Sequence, residues 1–275
     1  MITAVSITES QVAHLRSAVA AATLATDPGP HMVIADVLPA DLYALLFDTM
    51  PPEEGFDIAD SVKANFDPDR TTIAPERSRQ TWMWFQRDVV DGMLTPLLVA
   101  RFQPHLVAAY QDLFGPDLAE DALRLPKHAF RGRLMLRRPG YRLKPHRDMR
   151  IAALTGLIYF ARPGDSADYG TDLYRIAHDR QATTMKTFYP ESCGGRAEHA
   201  RSVPFVGNAA LVFMNAPGMA HGASIPRDAT QATRYAYQFY VGPPKDDFGR
   251  LIRRMPAAQQ AAVGAAAAPA LDEGY

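Results

Sequence analysis

Cysteine is almost missing from this chain. The single thiol, Cys193, cannot form an intrachain disulfide, which excludes a disulfide-stapled scaffold and fits a reducing compartment. Lying in Ser-Cys-Gly-Gly, it reads as a loop residue rather than a nucleophile. Charge of one sign is not in excess either: 29 basic residues against 30 acidic ones give a formal net charge of −1, leaving no broad cationic face for nucleic acid. Long apolar runs are also lacking. None approaches the roughly 20 residues that span a bilayer, and at the N-terminus His14 and Arg16 interrupt the apolar pattern of a secretion signal. The expectation is a cytoplasmic protein with neither a nucleic-acid nor a membrane partner. No repeat of solenoid or propeller length is present.

What is present suffices for one large core, since 47% of the 275 residues are apolar. Thr8-Glu-Ser-Gln11 is a capping box that should start a helix running to about Thr23, and Asp27-Pro-Gly-Pro30 ends it. A short strand over Met32 to Leu38 and a helix after Pro39 follow. Residues 51 to 75, rich in Pro, Asp and Glu, read as a long surface loop. Ser78 to Gly115 is helical by pattern, with interruptions expected at Pro96 and Pro104, and its Trp82, Trp84 and Phe85 are expected in the core.

From Leu123 the texture changes to short strands, expected over 128–137, 151–160, 171–176, 202–206, 209–214 and 234–241. Strands at this spacing behind a helical half predict an α+β fold, a double-stranded β-helix (a jelly-roll or cupin-like barrel) packed against N-terminal helices. One domain over 1–256 is expected, with 1–122 as mostly helical support and 123–242 as barrel core. The tail, 257–275, is low in complexity. Between Ala177 and Ala200 a polar, glycine-containing stretch is the lid candidate.

The chemistry concentrates near Gly140-Tyr-Arg-Leu-Lys-Pro-His-Arg-Asp148. In extended backbone, residues i and i+2 point the same way, so His146 and Asp148 can grip one ion. His221, in Asn215-Ala-Pro-Gly-Met-Ala-His221-Gly, supplies a third ligand at the end of a short apolar run, in a turn. Two histidines and a carboxylate on one side of a metal leave the remaining positions open, as in non-haem Fe(II) oxygenases. Under strict alternation Arg131, Arg133 and Arg137 share a face, either a solvated edge strand or a site for an acidic substrate. Asn215 reads first as a turn residue, with orientation of a substrate or of an iron-bound water as the second reading.

These residues, with Arg234 in Thr-Arg-Tyr-Ala-Tyr-Gln-Phe-Tyr240, resemble the pattern of the Fe(II)- and 2-oxoglutarate-dependent dioxygenases over roughly residues 125 to 242. That pattern is His-x-Asp, a long interval, a second His, and then a basic residue. The resemblance implies metal ligation by His146, Asp148 and His221, with Fe(II), 2-oxoglutarate and O2 as cofactor and cosubstrates. It implies that 2-oxoglutarate chelates the iron through its keto oxygen and C1 carboxylate, while Arg234 takes the distal carboxylate. Where prolyl-type hydroxylases carry a tyrosine this chain has Arg137, a second candidate for the cosubstrate. The implied reaction is hydroxylation of a small molecule or amino-acid side chain, with release of succinate and CO2. Related halogenases have a small residue where this chain has Asp148. A cupin-like metal-dependent isomerase, or a metal-binding protein without oxygenase activity, is the alternative class, and it would consume no 2-oxoglutarate.

Overall fold

The computed structural model describes residues 7–177 and 186–264. Thr8 caps α1 (Glu9–Ala21) with the expected box, its hydroxyl accepting from the Gln11 N–H while the Gln11 side chain accepts from the Thr8 N–H. β1 (Leu24–Ala25), β2 (His31–Ile34) and α2 (Ala40–Asp48) follow. Next come β3 (Asp57–Asp60) and β4 (Lys63–Phe66), then α3 (Glu76–Trp84), α4 (Thr95–Phe114) and α5 (Pro116–Arg124). The strands of the second half are β5 (His128–Arg137), β6 (Arg142–His146), β7 (Leu154–Tyr159), β8 (Thr171–Ala177), β9 (Arg196–Val203), β10 (Ala210–Met214), β11 (Met219–Ser224) and β12 (Arg234–Gly242). The described residues end with α6 (Lys245–Arg254) and α7 (Ala257–Gly264), the latter formed from the start of the Ala-rich tail. No helix among the described residues is long and apolar enough to cross a membrane.

The fold is α+β with two antiparallel sheets, ordered β1-β2-β10-β7-β12-β5-β4-β3 and β6-β11-β8-β9. Side-chain alternation in the larger sheet decides what lies where. In β12, Tyr235, Tyr237, Phe239 and Val241 join the helical side of the core, together with Trp82, Phe85, Val89, Leu98 and Phe102. The alternate residues Arg234, Gln238 and Tyr240 face a cavity on the opposite side, and Ala236 packs into a second core there. That second core joins Met135, Leu157, Tyr159, Leu211 and Phe213 of the larger sheet to Leu173, Val203 and Met219 of the smaller one. The two sheets therefore face each other.

Several expectations need correction. Residues 51–75 are not one loop, because β3 and β4 form a hairpin whose β4 pairs with β5. Burial of Ala64 and Phe66 and the ladder to β5 hold strands too short to show a period of their own. The long helix is not interrupted at Pro96. A π-helical stretch over Phe85–Leu94 precedes it, and the Thr95 N–H donates to the Val90 carbonyl five residues back, a widened turn that accommodates the missing proline N–H. Pro104 lies inside α4 at an exposed position, where the carbonyl it leaves unbonded can be hydrated. The strand expected over 202–206 begins earlier, at Arg196, and ends at Val203, because Pro204 has no N–H for the ladder.

Candidate metal centre

Strand register brings the two histidines together. β6 and β11 pair antiparallel with His146 directly opposite His221, and the ring centroids lie 4.2 Å apart. His221 stands inside β11 rather than in a turn. The turn precedes it at Pro217-Gly218, where Gly218 adopts φ 81°, and the small residues of β11 hold a strand because β6 and β8 flank them on either side. A bulge between His221 and Ala223 lets the two strands approach closely. A Cβ on Gly222 would lie 2.8 Å from the Leu143 carbonyl oxygen.

Asp148 reaches the same point by alternation. Arg147 makes reciprocal backbone bonds with Phe188, both 2.9 Å, and its guanidinium lies over the Phe188 ring. The backbone stays extended past His146, and Asp148 returns to the histidine side. His146 Nε2 is 3.3 Å from Asp148 Oδ1, and His221 Nε2 is 3.8 Å from Asp148 Oδ2. Two donors about 2.1 Å from one ion at a right angle stand about 3.0 Å apart. The three donor atoms lie within 4.8 Å of one another on buried side chains, a spacing that suits one face of an octahedral ion.

The surroundings fix ligand orientation and charge. His146 Nδ1 donates to the Lys144 carbonyl at 3.0 Å, which fixes the ring with Nε2 turned toward Asp148. Asp148 Oδ2 accepts from the Thr155 hydroxyl at 2.8 Å, and Asn215 Nδ2 donates both to Thr155 Oγ1 (2.8 Å) and to the Ala152 carbonyl (2.7 Å). Thr155 was not legible as a site residue, and Asn215 serves the carboxylate rather than only its own turn. Burial alone would raise the Asp148 pKa, but His221, the hydrogen bond with His146, and Thr155 outweigh it and hold the carboxylate well below its usual range. His221 is pushed down to about 3, first by burial and then by the neighbouring His146, against the opposing pull of Asp148. At neutral pH His221 is a neutral imidazole and Asp148 a carboxylate, the forms that ligate.

Arg234 is the first residue of β12 and lines the same cavity, 3% exposed. Its Nη2 donates to Thr171 Oγ1 at 3.1 Å, and the Tyr159 hydroxyl donates to the same oxygen at 2.7 Å. The guanidinium lies 5.4 Å from the Tyr159 ring centroid and 5.9 Å from that of Phe205. Its Nε–H is buried without a partner, and no carboxylate among the described residues pairs with it. Thr171 and Tyr159, which orient it, carried no signal in the sequence. Arg137 lines the cavity opposite Arg234, also buried, and burial lowers its pKa. The three arginines expected on one face are not all there. Arg131 takes φ 53° at a β5 bulge and is exposed, whereas Arg133 lines the cavity and donates to Gln238 Oε1.

The lid candidate divides. Residues 178–185 lie outside the described residues. Tyr189 stacks on the His146 ring at 5.3 Å, and Arg196 to Ala200 belong to β9, paired with β8. Cys193 is half-buried at the end of a short 3-10 turn.

No family model matches the chain, and no curated protein matches it. Among solved structures it is similar to HygX from Streptomyces hygroscopicus with nickel, 2-oxoglutarate and hygromycin B bound. There the identity is 13%, covering 87% of this chain and 88% of that one, with a TM-score of 0.43. It is similar to an oxidoreductase of the 2OG-Fe(II) oxygenase family from Burkholderia pseudomallei, at 10% identity over 86% and 93% of the two chains and a TM-score of 0.45. A Pseudomonas putida prolyl-4-hydroxylase follows, at 14% identity over 84% and 99% and a TM-score of 0.40. Likeness at this level transfers no function, so the functional reading stands on the geometry of this chain.

Two predictions follow from the ligand environment. Thr155→Val should lower metal affinity about 10- to 100-fold, the usual effect of losing a hydrogen bond to a ligand, as read by competition with a chelating dye; unchanged affinity would remove Thr155 from the site. The second concerns acid. An imidazole depressed to about 3 in the folded state and near 6.5 unfolded binds protons better unfolded between those values. Its contribution to stability is therefore full above about pH 6.5 and lost as pH falls toward 3. The thermal midpoint of the metal-free protein should drop across that window, and drop less in His221→Asn; equal slopes for the two proteins would contradict a buried neutral His221.

Proposed function

We propose that the chain is an Fe(II)- and 2-oxoglutarate-dependent oxygenase that hydroxylates a small molecule or an amino-acid side chain. One observation supports this above the others: His146, Asp148 and His221 converge on one wall of a cavity whose opposite sheet presents the buried Arg234. In this reading the two facing sheets are the halves of a double-stranded β-helix, and residues up to 256 form one domain around it.

His146, Asp148 and His221 would hold the iron, leaving the cavity side of the ion for 2-oxoglutarate and O2. When bound, the metal supplies the dioxygen chemistry that turns 2-oxoglutarate into succinate and CO2 and inserts one oxygen atom into a substrate C–H bond. Thr155 and Asn215 keep the Asp148 carboxylate aimed at the ion. Arg234 offers a planar fork to the distal carboxylate of 2-oxoglutarate, with Thr171 and Tyr159 limiting its rotation. The apolar walls from Leu157 and Met135 exclude water from the reacting carbon.

With Fe(II) and O2 the wild type should convert 2-oxoglutarate to succinate, measured by mass spectrometry. Arg234→Met should raise the 2-oxoglutarate requirement roughly ten- to hundredfold, since a hydrogen bond to a charged group contributes about 1.5–3 kcal/mol. Metal binding without any 2-oxoglutarate consumption would return the site to the isomerase or non-oxygenase class.

A further inference from the structure

The cavity holds more positive charge than one cosubstrate carboxylate requires. Across β4, β5 and β12 the register sets Lys63 opposite Arg137 and Arg137 opposite Arg234, so three cationic residues stand abreast on the face lining the cavity. Like charges directly opposite one another destabilise a sheet, and a buried guanidinium lacking a counter-ion is costlier still. Arg137 is 5% exposed and Arg234 3%, and no carboxylate among the described residues pairs with either. Lys63, a quarter exposed at the end of the row, pairs among the described residues with Asp60 alone, at 3.8 Å. Asp148 is the one carboxylate on the cavity wall among the described residues, and it faces the two histidines.

The free edge of Arg137 has a definite shape. Nη1 donates to the carbonyls of Ala64 (2.8 Å) and Leu136 (3.0 Å), and Nη2 donates to Asn65 Oδ1 (3.0 Å). Nε–H is buried with no partner. Three of the five donors are spent, Nε–H has no partner, and the second Nη2–H has only the Tyr141 side chain as a hydrogen-bonding neighbour; Nε and Nη2 form the edge of the fork that takes both oxygens of a carboxylate. Three bonds and the Tyr141 ring, 5.2 Å away, already hold the group in place, so little orientational freedom would be lost on binding.

We propose that Arg137, flanked by Lys63, anchors a carboxylate of the substrate, and hence that the enzyme acts on a small carboxylic acid. The inference rests on the oxygenase reading, in which Arg234 is taken by 2-oxoglutarate. A planar two-oxygen group meets Nε and Nη2 together, and the phosphate arm of the test below separates a carboxylate from a phosphate.

The test uses wild-type protein loaded with Mn(II) and 2-oxoglutarate. Its thermal midpoint is read against the twenty free amino acids and a series of short carboxylic acids, each beside its primary amide, with phosphate monoesters as a separate arm. At least one acid should raise the midpoint where its amide does not. In Arg137→Met the affinity for that acid should fall about ten- to hundredfold, while the calorimetric Kd for 2-oxoglutarate changes by less than about threefold; Arg234→Met should show the reverse. Because Arg137 also ties β5 to β4, Lys63→Gln is the second variant, expected to weaken the same acid several-fold in a protein of unchanged circular dichroism. Acids and amides acting alike, a response to phosphate monoesters alone, or Arg137→Met impairing 2-oxoglutarate as much as Arg234→Met would each overturn the inference and leave the oxygenase reading standing. If the wild type shows no Mn(II)-dependent binding of 2-oxoglutarate, the oxygenase reading fails and the inference fails with it.

Discussion

The antiparallel pairing that sets His221 of β11 opposite His146 of β6 is the constraint on which the rest of the centre depends. A slip of one residue would turn one imidazole to the other face of its sheet and leave Asp148 with a single partner. Three features hold the register. β8 pins β11 from its other side with His221 opposite Leu173, the bulge at Gly222 absorbs the mismatch with β6, and the Arg147–Phe188 bridge keeps the chain extended as far as Asp148. The larger sheet does its part by burying alternate residues on both faces, so that one face packs against helices and the other presents Arg137, Arg234 and Gln238 to the cavity.

Charge explains why such an interior is kept. Two buried guanidiniums side by side without a protein carboxylate cost stability, and apolar replacements of buried charges are often neutral or stabilising. Their presence makes sense where an anionic ligand completes them, so the empty protein is the less stable form and binding adds to its stability. The proposed metal ligands follow the same logic. Burial keeps the His221 imidazole neutral, and the hydrogen bond from Thr155 favours the ionised Asp148 carboxylate.

How far this was legible in the sequence differs from residue to residue. His146 and Asp148 declared themselves because spacing of two in an extended segment is a local property, and Arg234 because it opens a strongly alternating strand. The β5, β10 and β12 strands were visible for the same reason, being rich in β-branched, aromatic or alternating residues. β11 was not, since Met-Ala-His-Gly-Ala-Ser lacks that character and is a strand only because its neighbours pair with it. Lys63 and Asn65 were hidden in a segment that reads as loop, and their place beside Arg137 comes from a long-range ladder that one sequence does not display. Thr155 and Asn215 lie far apart from each other in the chain, and nothing in either residue type announces that together they orient a carboxylate.

The most direct measurement is an anaerobic titration of metal-free protein, first with Fe(II) and then with 2-oxoglutarate, followed by visible absorption. Chelation of the iron by the keto acid predicts a broad charge-transfer band that saturates at one 2-oxoglutarate per chain and is lost in Asp148→Ala and His221→Ala. No band in the wild type, or a band undiminished in those variants, would contradict a metal centre built from His146, Asp148 and His221.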